Sequence, residues 1–354
     1  MDKAQEIYYD TLTKEESKAL DNLLILIKSK KAEYDPIIHN SSYLVKFLRA
    51  RKLDVNKALE MIVNCQKWRK DENIDSVLTF PFPEIDRVKV YYPHGFHKTD
   101  KLGRPIYIDM MGDIKIDDLF KLTTHERMIT YQIKSYERLM NHIFPACSKE
   151  SKKYIHQTLT IIDLKKLSTK HLNKKTYGLL KIISQISQNY YPESLGQLFI
   201  INTGLVFKAA WAVCKSFLDE KTRSKIIPLG KDYKKKLFEV AAPENVPKIV
   251  GGECLCEPYG CLYSDAGPWN KENKVEVQIN PEMLNLNKKD EEFATEDNGE
   301  EVVDLDLNSD VNNDDNMTSD EVDDGKLEEL SNKLSENVKL SQGKKESQKT
   351  NSDK

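Results

Sequence analysis

Apolar residues recur every three or four positions between residues 42 and 70, the period of a helix with one buried face. Leu44, Phe47, Leu48 and Arg51 follow that spacing and mark a first helix. Asp54 then stands where a helix cap is expected, ahead of Val55, Ala58, Leu59 and Ile62 on one side of a second. The chain before them is polar except for residues 23–27, which predict a short helix. Pro81 and Pro83 close this helical unit.

From about residue 88 short apolar runs alternate with helical patterns. The run RPIYIDM at 104–110 predicts a strand, following a Lys101-Leu102-Gly103 turn. Thr123-x-x-Glu126 has the form of a capping box, and Ile129, Ile133, Tyr136, Met140 and Ile143 give one face to a long helix behind it. TLTIID at 158–163 predicts a second strand, 175–189 a helix and QLFIIN at 197–202 a third strand. A helix at 204–218 and a strand at 224–229 follow. Such alternation points to an α/β fold with a largely parallel sheet.

The segment 204–218 departs from ordinary amphipathic patterning. Leu205, Val206, Phe207, Ala209, Ala210, Trp211, Ala212, Val213, Cys214, Phe217 and Leu218 cover every face, and only Lys208, Lys215 and Ser216 interrupt. A helix apolar all round is buried on all sides or faces something oily. A central core helix fits that rule. A lid over an acyl chain fits too, with the two lysines reaching lipid phosphates at a membrane surface.

Polar side chains on otherwise apolar strands carry a second signal. Thr158 and Thr160 stand at i and i+2, so both hydroxyls leave one face of the sheet. Tyr107 offers another hydroxyl on a neighbouring strand. Threonine is a good strand former in its own right, but hydroxyls converging in an apolar space also fix a polar headgroup. Cations form a third set. FLRARKL at 47–53 ends its helix with Arg49, Arg51 and Lys52, a favourable place for positive charge in any protein. Thr222 and Lys225 are spaced to share a phosphate. The run Lys165, Lys166, Lys170, Lys174 and Lys175 reads as a solvated face.

Charge divides the chain. The formal net charge is −3, yet residues 281–354 hold 22 Asp and Glu against 9 Lys and Arg. That leaves 45 basic and 35 acidic residues in the first 280, a basic body suited to anionic surfaces. The acidic tail from 275 is almost free of aromatics and is expected to be disordered, with a weak helix at most over 327–340. No apolar run approaches the ~20 residues that span a bilayer. MDKAQEIYYD lacks the pattern of a secretory signal, Asp2 excludes myristoylation, and NSDK is no prenylation box, so any membrane contact is expected to be peripheral.

Six scattered cysteines suggest a reducing compartment. Cys254-x-Cys256-x4-Cys261 has three potential zinc ligands, but no fourth cysteine or histidine lies nearby in sequence, so loop thiols and no metal are the expectation. No dinucleotide fingerprint, Walker loop, zinc-protease motif or nucleophile elbow is present. His94, His97 and Asp100 come without a nucleophile motif and read as ordinary loop residues. A binding protein without catalysis or cofactor is therefore expected.

Taken together, FLRARKLDVNKALEMIVNCQKWRKD, HKTDKLGRPIYID, ERM, FPACS, TIIDLK, ISQNYYPE, FIIN, FLDEKTRSKI and ENVPKIVGGEC followed by SDAGPW resemble the CRAL-TRIO lipid-binding family. Within it they are most similar to the fungal phosphatidylinositol/phosphatidylcholine transfer proteins. The likeness runs in order over roughly residues 12–272. It implies a helical unit at 1–83, a lipid-binding domain at 84–274 whose mostly parallel sheet floors a hydrophobic pocket, and the tail at 275–354 outside the family.

The same resemblance implies a gating helix bearing Leu205, Phe207, Lys208, Trp211 and Phe217. It implies a phosphatidylinositol headgroup site at Arg51, Lys52, Asp100, Pro105, Thr222 and Lys225, and a phosphatidylcholine site at Phe96, Tyr107, Thr158 and Thr160. Phe96 stands where the family has a tyrosine and Thr158 where it has a serine, so phosphatidylinositol is the better-supported ligand. A monomer is implied, cytoplasmic and reversibly at Golgi or endosomal membranes. It would support phosphoinositide synthesis and vesicle trafficking, with lipid kinases as partners and no nucleic acid. A lipid-sensing adaptor docking through its acidic tail, and a carrier of a sterol or similar hydrophobe, are the competing readings.

Overall fold

The computed structural model describes residues 12–30, 32, 40–172 and 174–271, without the side chains of Lys170, Lys174, Lys175, Ala209, Val213 and Phe217. The tail from 275 and its weak helix at 327–340 lie outside the described residues.

Helix α1 (Lys14–Ser29) is longer than the apolar run at 23–27 predicts. Its buried positions, Ala19, Leu20, Leu23 and Ile27, keep helical spacing behind a polar first turn, and a Thr13–Glu16 capping box satisfies the first backbone N–H groups. Helices α2 (Ser41–Ala50) and α3 (Val55–Asp71) fall where predicted, and the Asp54 carboxylate accepts from the Lys57 N–H. Leu20, Leu23, Leu44, Phe47, Leu48 and Ile62 make a core for these three helices. Arg69 of α3 leaves that core and pairs with the buried Glu137 at 2.7 Å. The Tyr191 hydroxyl donates to the same carboxylate at 2.7 Å, fastening the helical unit to the rest.

After α4 (Ile85–Tyr91) comes strand β1 (His94–Thr99), which hydropathy does not predict because its buried residues include His94 and His97. These histidines are strand residues rather than loop residues. Strand β2 (Pro105–Asp109) follows, then α5 (Ile116–Leu122) and α6 (His125–Arg138). The cap of α6 is Thr124, whose hydroxyl accepts from the Arg127 N–H; Thr123 instead donates to Glu84, so the expected Thr123–Glu126 capping box is replaced by a single cap one residue later. The predicted long helix continues through a wide π turn at Leu139–Ile143 into α7 (Phe144–Ser151). Pro145 has no N–H for the carbonyl four residues back, and the wide turn absorbs that lost bond.

Strand β3 (Thr158–Asp163), α8 (Lys174–Tyr190), β4 (Leu195–Ile201), α9 (Leu205–Cys214), α10 (Glu220–Ser224), β5 (Ile226–Pro228) and α11 (Lys234–Val240) complete the alternation. The five strands lie in sequence order, β1 antiparallel to β2 and the others parallel. Right-handed crossovers between strands added in one direction place their helices on one face of the sheet. The other face must be closed by something else, and the C-terminal segment does it. Ile106, Ile108, Leu159, Ile161, Phe199 and Ile201 pack there against Tyr233, Leu237, Val246, Val250 and Leu262. That face is solid core. Alternation along each strand sends the remaining side chains to the opposite face, which is not solid.

Candidate functional site

A cavity of about 350 Å³ lies between that second sheet face and the crossover helices. Its floor is Phe96, Tyr107, Asp109, Thr158, Thr160, Ile162, Leu198 and Ile200. Backbone register explains why these residues meet. Phe96 pairs with Tyr107, Tyr107 with Thr160, and Thr160 with Leu198, so one row crosses four strands on one face. Thr158 and Thr160 project together, their hydroxyl oxygens 3.2 Å apart. The aromatic rings of Phe96 and Tyr107 are 4.9 Å apart. All four side chains expected at a phosphatidylcholine headgroup thus line a single apolar space.

The walls come from α6 and the π turn after it, α8 and α9. Tyr136 and Leu139, Leu180 and Ile183, and Phe207, Ala210, Trp211 and Cys214 supply apolar surface. Helix α9 is shorter than predicted, since a tighter turn covers Lys215–Phe217. Its two sides differ. Phe207 and Trp211 stack at 5.8 Å over the cavity, and Phe207 packs on Leu164 and Ile200. Leu205, Lys208, Ala212 and Lys215 are exposed on the other side. Leu205 is 52 % exposed, so the outer surface of α9 presents a large aliphatic group beside two lysines. The side chain of Phe217 lies outside the described residues. Gln188 of α8 accepts from the Asp219 N–H at 2.9 Å, pinning the segment that ends α9.

The residues expected at a phosphatidylinositol headgroup do not all meet. Thr222 reaches the cavity lining, but its hydroxyl donates to Asp219 at 2.8 Å. Lys225 precedes β5 and donates to the Leu195 carbonyl at 2.8 Å, with Glu193 at 3.4 Å. Partial burial lowers its ammonium pKa, opposed by the Glu193 charge. Lys52 is exposed, 3.9 Å from Glu220 on α10, which brings the end of α2 close to the Thr222 helix. Arg51 lines a separate surface depression with Trp68 and Tyr190.

Asp100 and Pro105 hold the turn into β2. Asp100 accepts from the N–H groups of Leu102 and Arg104 and from the Arg104 guanidinium at 2.6 Å, so its carboxylate is consumed locally. Pro105, Thr158, Leu195 and Ile226 begin their strands, which puts Lys225 and the Asp100–Pro105 turn along the N-terminal edge of the parallel sheet.

Sequence patterning did not single out Asp109. It sits on the cavity floor, and one oxygen accepts from the Tyr92 hydroxyl at 2.7 Å. The other has no hydrogen-bond partner among the described residues. Burial pushes its pKa up to about 7. Gln132, Ser135, Ser184 and Ser187 also line the space; the spacing of Ser184 and Ser187 on α8 was the available signal.

A family model described as CRAL/TRIO domain matches residues 89–252, and one described as CRAL/TRIO, N-terminal domain matches residues 14–64. The Sec14 cytosolic factor of Schizosaccharomyces pombe is 42 % identical over 230 residues, covering 65 % of this chain and 80 % of that protein. The phosphatidylinositol/phosphatidylcholine transfer protein SFH11 of Arabidopsis thaliana is 42 % identical over 234 residues, 66 % of this chain and 62 % of the relative. The chain spans only 44 % and 50 % of the length of the Arabidopsis relatives SFH7 and SFH12. A crystal structure of Sfh5 superimposes with a TM-score of 0.52 at 18 % identity, over 79 % of this chain and 98 % of that one, which is a likeness of fold.

Proposed function

Since the chain belongs to the CRAL/TRIO family, we propose that it holds one glycerophospholipid and exchanges it at membrane surfaces, without catalysis. The observation that carries this reading is an apolar cavity floored by the Phe96–Tyr107–Thr160 row, with Thr222 and Lys225 near one end. Its relatives are named as phosphatidylinositol/phosphatidylcholine transfer proteins, which agrees with the two sets of polar groups.

The physics of such a carrier is simple. Each buried CH2 is worth about 0.8 kcal/mol, so a lipid with about thirty chain carbons costs about 20 kcal/mol to expose to water. Release therefore takes place against a membrane, and a wall has to open there. Helix α9 is the wall suited to it, with aromatic residues inward and Leu205, Lys208 and Lys215 outward.

Phosphatidylinositol is the first ligand proposed. Its phosphate meets Lys225 and Thr222 once Glu193 and Asp219 give way. Phosphatidylcholine is the second, its headgroup inside the cavity at Tyr107, Thr158 and Thr160. A sterol gains nothing from the Lys225 ammonium, which favours a phospholipid. Contact with Golgi or endosomal membranes, delivery to lipid kinases, a cytoplasmic monomer and a part in vesicle trafficking extend the same reading.

Vesicle-to-vesicle transfer of the two lipids tests it. Lys225→Ala should lower phosphatidylinositol transfer about tenfold, the worth of a hydrogen bond to a charged group, and spare phosphatidylcholine. Thr160→Val should do the reverse. Equal loss of both lipids in both variants would sink the assignment.

A further inference from the structure

Away from the cavity, the fold brings a histidine distant in sequence to three closely spaced cysteines. His97 on β1 and Cys254, Cys256 and Cys261 on the C-terminal segment bring their ligand atoms within 4.8 Å of one another. We propose that these residues form a structural zinc site that fastens the C-terminal segment to the edge of the sheet.

The distances suit the metal. Tetrahedral zinc with Zn–S bonds of about 2.3 Å and Zn–N bonds of about 2.0 Å separates two sulfurs by about 3.8 Å and a sulfur from a nitrogen by about 3.5 Å. The Cys254 and Cys256 sulfurs are 3.8 Å apart, and His97 Nε2 is 3.3 Å from the Cys254 sulfur. All six cysteines are free thiols, so no disulfide competes for these three.

Four protein ligands close the site, which is the composition of a structural rather than a catalytic zinc centre. His97 is fully buried, and Cys254 and Cys261 nearly so. The other imidazole nitrogen, Nδ1, lies 3.5 Å from the Ser264 hydroxyl, which itself donates to the Cys261 carbonyl. A ligating histidine commonly has such a partner on its second nitrogen, and the partner orients the ring.

The backbone is arranged for the approach. Cys254 accepts and donates across a tight return with Lys248 and Val246. Gly95 leaves room for the Leu262 carbonyl, which a Cβ would meet at 2.9 Å. The Lys98 N–H donates to Ala266, continuing the attachment. On β1, Phe96 faces the cavity and His97, by alternation, faces the closed side. The zinc would thus lie behind the cavity floor, holding its antiparallel edge strand without touching the ligand.

The test uses the full chain, purified without a histidine tag or chelator. Elemental analysis should find about one zinc per chain. Replacing zinc with Co2+ should give the visible absorption of a tetrahedral thiolate complex, and stripping the metal should lower Tm by more than about 5 °C. Cys256→Ser, at the least buried ligand, and His97→Gln should each weaken zinc retention by more than about tenfold, since even the loss of an orienting partner costs that much. Should either variant fail to fold, the wild-type zinc content and Co2+ spectrum decide alone. A wild-type protein that carries no zinc and takes up neither metal overturns the proposal, as do variants that keep zinc as tightly as the parent.

Discussion

Thr160 and Tyr107 stand opposite each other on neighbouring strands, and their alignment follows from a pleat that repeats every two residues. The pairing of Thr158 with Thr160 was legible in the sequence for that reason. Asp109 was not. It ends an apolar strand where a polar residue is ordinary, and only the fold reveals that it is buried beside a cavity. Its carboxyl, raised to about 7 by burial, has a consequence for stability. Between about pH 4 and pH 7 the folded protein keeps a proton there that the unfolded chain has released, so stability falls as pH rises through that window. Asp109→Asn should remove this slope and, above pH 7, stabilise the protein by a few kcal/mol at most. Denaturant unfolding of both forms at pH 4, 6 and 8 checks it; an unchanged pH slope would show that Asp109 titrates normally. His97 gives the opposite lesson. Its partners lie 157 positions away or nearby in that loop, so no local reading could have joined it to the three thiols.

Elements were most readable where one face is apolar and the ends are capped. Helices α2 and α3 and strand β3 are of this kind, and they fall close to their expected bounds. Strand β1 was missed because two buried histidines and a glycine replace the usual apolar alternation. Helix α9 was recognised from an apolar surface too broad for one side. The structure divides that surface between a cavity and solvent, which is the arrangement a gate needs. Opening should therefore depend on its outer lysine and its inner tryptophan. Lys208→Glu puts a negative charge where anionic phosphates approach, and Trp211→Ala removes part of the cavity wall. Each should slow lipid exchange several-fold, while Lys208→Glu, at an exposed site, should leave stability within about 0.5 kcal/mol. Wild-type transfer rates for a well-folded protein carrying both changes would remove α9 from the exchange step.

At the scale of the whole molecule, one sheet has two unlike faces. The C-terminal segment fills one with Tyr233, Leu237, Val246 and Leu262, and the crossover helices stand away from the other. Sequence alternation predicted the sheet, its parallel order and the helices between strands. It could not predict which face would be filled, because apolar residues lie on both and only packing separates core from cavity. The helical unit is bound to this framework by the Arg69–Glu137 pair, and no described helix is long and apolar enough to cross a membrane. Everything proposed for function depends on what occupies the open face. Native mass spectrometry of the purified chain, with extraction and identification of the bound molecule, addresses that directly. One phosphatidylinositol or phosphatidylcholine per chain is the expected result; a chain that carries neither, and acquires neither from vesicles containing both, would contradict it.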